Sequence, residues 1–375
     1  MKILVASDKF KGSLTANEAC SAIAAGLREG TSGEPHEIRC LPIADGGDGI
    51  ADTLTNAAGG EWITLTVQGP LGGPVTAGYG IIDGGKTAVI EMATASGLAL
   101  LGDGPLDPSR ASTFGTGELI LDAISRGVTE VLLGIGGSAT NDGGTGMALA
   151  LGYRFYDPDK HLLADLPLEL DRVTTIEAPH SFVCPRVTVA CDVTNPLLGP
   201  RGCTAIYGPQ KGVTEETAAD HEDRLARLVD ATGEKGKLAA DTPGAGAAGG
   251  LGFGAMIFLN AKLVPGFDLV ADRLGLAEAV QWADLVITGE GRLDHQSLEG
   301  KGPHGVAELA RASGKSTAAF CGSLGDLTLE SAFGPIVEIR NPELSLAKNM
   351  AAGSDLLRAA ARTFAATLSN SFPHA

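Results

Sequence analysis

The sequence predicts an α/β protein of two domains, and three observations carry this reading. Its 375 residues exceed one compact core of ordinary size. Short apolar or β-branched runs alternate with helical patterns at both ends of the chain, the arrangement that buries a parallel sheet between helices. Between those ends, residues 61–98 switch to alternating residues broken by Gly-Pro and Asp-Gly-Gly turns, which suits antiparallel strands. We therefore expect an open, parallel, Rossmann-like sheet domain from residues 1–60 joined with 265–375. An inserted mixed α/β domain would span residues 61–264. Ligand is expected in the cleft between the two domains, outside the carboxyl ends of the strands.

Each element follows from local pattern. KILVAS (residues 2–7) reads as a strand. Thr15 then caps an Ala-rich helix reaching about residue 29, and HEIRCLPIA (36–44) forms the second strand before a helix over 49–57. After the antiparallel stretch come a helix over 116–125, the strand EVLLGI, a helix over 144–151 and the strand VTVAC. A helix over 215–231 leads into the Gly- and Ala-rich segment TPGAGAAGGLGFGA, of which GAGAAG (244–249) is expected to be a flexible or ligand-hugging loop. The tail returns to plain alternation: helix 267–281, strand DLVITG, helix 305–312, strands STAAFCG and PIVEI, and a last helix over 354–369.

Composition limits the function. A net charge of −17 and the lack of a Lys/Arg-rich run argue against a nucleic-acid partner, because phosphate neutralisation needs a basic face. Six dispersed cysteines without a CxxC pair argue against a secreted disulfide scaffold. The N-terminal apolar run is too short for a signal-peptide core, and no stretch has the length of a membrane span. A cytoplasmic protein with no membrane partner is expected. The 53 glycines, about twice ordinary usage, cluster beside Ser, Thr, Asn and Asp, as tight turns near a ligand require.

Two nucleotide-motif matches fail on context. ASGKST (312–317) resembles the end of a P-loop, yet Leu309 stands where its first glycine belongs, and a helix precedes it where a strand should. It reads as a helix C-terminus closed by Gly314. GAGAAG (244–249) matches a dinucleotide fingerprint but follows KLAADTP, whose proline and aspartate oppose a strand.

Phosphoryl transfer needs a polyanion cradle, carboxylates for divalent cations and a few positive charges. GIGGSATNDGGTG (134–146), between an apolar strand and a helical run, has the composition of such a cradle, with Gly136, Gly137, Ser138, Asn141, Asp142 and Gly143 as candidates. The alternative is a structural turn capped by Asn141 or Asp142. STFGTGEL (112–119), with Thr116, could add a second wall. Carboxylates close three apolar runs: Asp8, then Asp45 with Asp48, then Asp192. Glu290 and Asp294 follow DLVI. For each aspartate an N-cap or Asx turn is the structural alternative, but three at corresponding strand ends favour chemistry. Lys9 and Lys11, Arg292, and Lys211 or Lys301 are candidate cations.

These segments, with PIADGGDGIADTL (42–54), EMATASGL (91–98), ACDVTNPLLGPRG (190–202), YGPQKG (207–212), GAAGGLGFG (246–254) and ADLVITGEGRLDHQSLEGKGPHGVA (283–307), resemble the type I glycerate kinases along essentially the whole chain. The resemblance implies transfer of the γ-phosphoryl group of ATP to D-glycerate with Mg2+, generally giving 2-phosphoglycerate. On this basis Lys11 and Arg292, with Asp8, hold the substrate. The turn over residues 136–143 holds ATP, Asp45, Asp48 and Glu290 hold the metal, and Asp192 orients or deprotonates the acceptor hydroxyl. Asp48 replaces the Glu, and Lys9 the Ser, that many relatives carry. Alternatives are a kinase of a related hydroxy or sugar acid and a non-catalytic binding protein. An oxidoreductase resting on GAGAAG lacks the strand context. Monomer and homodimer are equally compatible with the sequence.

Overall fold

The computed structural model describes residues 1–31, 35–44, 47, 49–298, 302–325 and 329–371. The candidates Asp45, Asp48 and Lys301 lie outside the described residues. Numbered in chain order, the strands are β1 (Lys2–Ser7), β2 (Glu37–Cys40), β3 (Glu61–Gln68), β4 (Pro74–Ile82) and β5 (Thr87–Glu91). They continue with β6 (Glu130–Gly134), β7 (Arg154–Tyr156), β8 (Leu162–Leu163), β9 (Thr175–Glu177), β10 (Arg186–Ala190) and β11 (Lys262–Val264). The last three are β12 (Leu285–Leu293), β13 (Ser316–Leu324) and β14 (Ile336–Glu338). The chain divides into two compact units, Met1–Asp45 with Phe267–Ala375, and Gly46–Gly266.

The first unit is built on a five-stranded sheet in the order β14-β13-β12-β1-β2, with every pairing parallel. Parallel strands need both faces covered, and the period-2 alternation of β1 supplies them. Ile3 and Val5 pack with Ile23, Leu27, Leu357 and Ala361 of the helices Ala16–Gly30 and Gly353–Ser371. Leu4 and Ala6 pack with Leu276, Val280, Val306 and Ala310. Each fully buried Leu, Ile or Val contributes about 1.5–3 kcal/mol. The first helix starts at a capping box, in which Thr15 Oγ1 accepts from Glu18 N–H and the Glu18 carboxylate accepts from Thr15 N–H. It meets the C-terminal helix closely, because a Cβ at Gly26 or Gly30 would collide with the Arg358 or Arg362 carbonyl oxygen.

The second unit holds a six-stranded mixed sheet, β11-β10-β6-β5-β4-β3, and a three-stranded antiparallel sheet, β8-β7-β9. β3, β4 and β5 are antiparallel, whereas β5, β6, β10 and β11 run parallel. The helix Ile50–Ala57, which the sequence reading groups with the N-terminal residues, lies in this unit. Its first N–H groups are received by Glu91 at the end of β5, at 3.0 Å from Gly49 N and 2.8 Å from Ala51 N.

Three elements differ from the sequence expectation. The helix expected over 267–281 is two helices, Gly266–Leu274 and Leu276–Trp282, broken at Gly275, which is left-handed at φ 64°. The strands β7 to β9 are too short for alternation to mark them. In the Gly- and Ala-rich segment the irregular backbone is confined to the turn over residues 242–246, and Ala247–Phe258 form a helical span in which Ala248, Gly249 and Gly250 are left-handed. Gly314 does close a helix, at φ +68°, with Lys315 N–H bonded to Ala310 O. Among the described residues no helix is long and apolar enough to cross a membrane.

Burial pushes the thiol of Cys20 well above its ordinary 9.0, and those of Cys203 and Cys321 up to about 12. An acid whose folded value is raised contributes stability that is present below the unfolded value and lost as pH climbs past it. Each such thiol therefore removes about 1.4 kcal/mol per pH unit above 9. Denaturant titrations from pH 8 to pH 10.5 should show the stability gap between wild type and Cys20→Ala closing at that rate. A gap independent of pH would contradict it.

Candidate active site

Two sets of strand ends carry the candidate residues. In the first unit Ser7 is in register with Gly289, so Asp8, just past the end of β1, lies beside Glu290. The sequence reading puts Glu290 and Arg292 past the strand DLVI, but β12 runs on to Leu293 and includes both, pairing Glu290 with Cys321 and Arg292 with Ser323 of β13. Asp8 is buried, and its Oδ1 accepts from Lys9 N–H at 2.6 Å. The chain then turns tightly, with Phe10 N–H bonded to Leu14 O and Leu14 N–H to Phe10 O. Phe10 is buried as the anchor, while Lys11 is exposed on the turn and Gly12 takes φ +75°. Glycine is required beside Glu290: a Cβ on Gly291 would lie 3.0 Å from Lys11 N, and one on Gly289 would strike the Phe320 carbonyl oxygen. A Cβ on Gly302 would lie 3.0 Å from Asp8 Oδ2. Arg292 is exposed and pairs with Asp294 at 3.1 Å. The structure thus brings Asp8, Lys11, Glu290 and Arg292 to one end of one sheet.

In the second unit Gly134 is in register with both Glu91 and Ala190, so β5, β6 and β10 end together. Asp192 follows β10, and its Oδ1 accepts from Gly266 N–H at 2.8 Å. The glycine-rich turn follows β6, and nearly all its side chains point inward. Asp142 is fully buried and accepts from Thr113 N at 2.8 Å, Thr113 Oγ1 at 2.7 Å, Gly144 N at 3.0 Å and Gly146 N at 3.1 Å. Burial still holds its carboxyl above the ordinary carboxylate range against these four donors. The start of the helix Thr145–Ala150, which the sequence reading leaves open for phosphate, is therefore filled by the protein's own carboxylate. Asn141 Nδ2 lies 3.2 Å from Thr204 Oγ1 and 3.4 Å from His221 Nδ1. Thr116 is buried, with its hydroxyl 2.9 Å from Ser96 Oγ. Ser138 Oγ accepts from Lys211 Nζ at 2.6 Å. Only Gly136 and Gly137 reach toward solvent, Gly137 at φ +69°.

The turn is backed by the Gly- and Ala-rich span. Gly143 N–H donates to Gly249 O at 3.0 Å, a Cβ on Gly250 would lie 2.8 Å from Gly143 Cα, and one on Gly249 would collide with Thr140 O. Two backbones touch directly here, which explains the glycines without a dinucleotide. Asp157, Asp159 and His161 could approach one cation, but the Arg172 guanidinium already sits 2.7 Å from Asp157 Oδ2.

A model of the glycerate kinase family matches residues 3–369. This chain belongs to the glycerate kinase family. It is 43% identical to a glycerate kinase of Halalkalibacterium halodurans over 376 residues, 97% of each chain. It is 42% identical to a glycerate 2-kinase of Escherichia coli K12 over 332 residues, covering 87% of this chain and 86% of the relative. A crystal structure of a glycerate kinase 2 candidate from Salmonella typhimurium LT2 superposes with a TM-score of 0.89 at 38% identity, covering 99% of both chains.

Beyond the residues that the glycerate kinase resemblance singles out, the structure adds Glu91 and the depth at which Lys211 is buried. The signal for Glu91 was in the sequence, since it closes the run TAVIE as Asp8 closes KILVAS. For Lys211 a short helix over Pro209–Lys211 gives no such signal.

The backbone contact predicts a contrast between two left-handed glycines. Gly314→Ala places its Cβ in open space and should cost about 1–2 kcal/mol from the left-handed backbone alone. Gly249→Ala adds the collision with Thr140 and should cost about 4 kcal/mol or more in urea unfolding. Equal losses would contradict the contact.

Proposed function

We propose that this protein is an ATP-dependent kinase that transfers the γ-phosphoryl group to the 2-hydroxyl of D-glycerate, releasing ADP and 2-phosphoglycerate. The observation that carries this reading is the match to the glycerate kinase family over residues 3–369. The choice of the 2-hydroxyl is supported by the name of the Escherichia coli relative.

On this reading Lys11 and Arg292 hold the glycerate carboxylate, two cations suited to one small anion. Asp8 stands behind them, fixing the turn that presents Lys11 through its bond to Lys9 N–H. The phosphates of ATP rest on the outward edge of the turn, at Gly136 and Gly137 with the hydroxyl of Ser138. Asn141, Asp142 and Gly143 keep that edge in shape, and Thr116 does so through Ser96. Asp192 takes the hydroxyl proton as the new O–P bond forms and the bond to the ADP oxygen breaks. Its Gly266 partner fixes one carboxylate oxygen and so the direction of the other.

Glu290 offers hard carboxylate oxygen beside Asp8, the donor chemistry that Mg2+ takes, and it would hold the ion together with Asp45 and Asp48. The ion supplies neutralisation of charge on the phosphate oxygens.

Incubation with ATP, Mg2+ and D-glycerate, followed by phosphorus and carbon NMR of the product, should show phosphate on carbon 2. Phosphate on carbon 3 would overturn the regiochemistry, and no ADP with several hydroxy acids would overturn the kinase. Asp192→Asn should lower kcat by about 100-fold or more with folding unchanged; near-normal turnover would sink the base assignment.

A further inference from the structure

Lys211 is a lysine where lysines are rarely found. It is 2% exposed, at the end of the short helix Pro209–Lys211, and Gly212 at φ +100° turns the chain away immediately after it. Its ammonium donates to Ser138 Oγ at 2.6 Å and to Thr140 O at 2.7 Å, so it spans the inside of the glycine-rich turn. Burying a charge this deeply costs stability, which its two hydrogen bonds offset only in part. The hydroxyl of Ser138, having accepted from the ammonium, keeps its own hydrogen to donate elsewhere. That hydroxyl belongs to the residue immediately after the solvent-facing Gly136 and Gly137.

We propose that Lys211 is a positioning residue for the triphosphate of ATP: its ammonium orients the Ser138 hydroxyl as a donor toward a phosphate oxygen and puts positive charge beneath the turn. This rests on the ATP site proposed above.

The second mark of the arrangement is its sensitivity to pH. Burial brings the ammonium down to about 8, with Cys203 and Asp142 acting in the opposite sense. Of the other groups facing the turn, Asp142 is held above the ordinary carboxylate range by burial. Burial and Lys211 leave Cys203 at about 12, and burial, then Arg224, hold His221 below its ordinary value. As pH rises through 8 the lysine loses its proton, its hydrogen bond to Ser138 loses its charge, and the positive charge under the turn disappears. Affinity for ATP should fall in that direction, whereas a lysine serving only to tie the turn would leave it unchanged.

The test is calorimetric titration of ATP into the full-length protein from about pH 7 to about pH 9.5, where the nucleotide itself no longer changes charge at the upper end, for wild type and Lys211→Met. Wild type should bind about ten to a hundred times more weakly at the alkaline end, and the variant should match that weak binding at every pH. If Lys211→Met does not fold, Ser138→Ala takes its place and should flatten the same profile. A pH-independent wild-type affinity, or a variant that keeps the wild-type profile, overturns the role of Lys211 and leaves the kinase intact. No ATP binding by wild type at any pH overturns the site on which the inference rests.

Discussion

The candidate nucleotide site depends on two stretches of backbone touching with no side chain between them. The turn after β6 and the left-handed residues Ala248, Gly249 and Gly250 approach so closely that a single Cβ at position 249 would meet a carbonyl oxygen. Side chains cannot fill such a contact, so they are displaced to its flanks. Asp142 collects donors from Thr113, Gly144 and Gly146, Asn141 reaches Thr204 and His221, and Lys211 holds Ser138 and Thr140. What remains at the surface is backbone, at Gly136 and Gly137. A backbone surface suits a polyanion, because amide dipoles can face phosphate without needing a compensating basic patch. On the proposed reading, this lets a chain of net charge −17 accept a nucleotide.

Parallel pairing does the corresponding work for the carboxylates. Parallel register brings residues far apart in sequence together: Asp8 beside Glu290 in one unit, and, where β5, β6 and β10 end at the same level, Glu91, the turn and Asp192 in the other. Residues near the end of such a strand inherit their position from the sheet. Glycine then allows close approach beside them, as Gly289, Gly291 and Gly302 do against Phe320 O, Lys11 N and Asp8 Oδ2.

Much of this was legible in the sequence because it is local. Thr15 and Glu18 are three residues apart and announce the capping box, Gly314 announces a helix end, and apolar runs closed by Asp or Glu announce strand ends. The direction in which a polar side chain faces was not legible. For the helix start after the turn the sequence leaves phosphate and a cap by Asn141 or Asp142 both open; Asp142 fills it, and the partners that decide this lie partly at Thr113, 29 residues away. Lys211 reads as an ordinary charge until Ser138, 73 residues earlier, is brought onto it. The segment after Pro243 looked like a loop because three left-handed residues are invisible to helical periodicity; the need for them comes from the turn they pack against. A single sequence records which residues are polar, while burial and orientation come from long-range packing.

Amide hydrogen exchange of the full-length protein with and without saturating ATP tests most directly the claim that the exposed backbone of the turn, and not its side chains, receives the nucleotide. Slowed exchange centred on residues 135–138, with the already buried amides of residues 141–146 little changed, is the expected result. Unchanged exchange across residues 135–138 at saturating ATP would contradict the account.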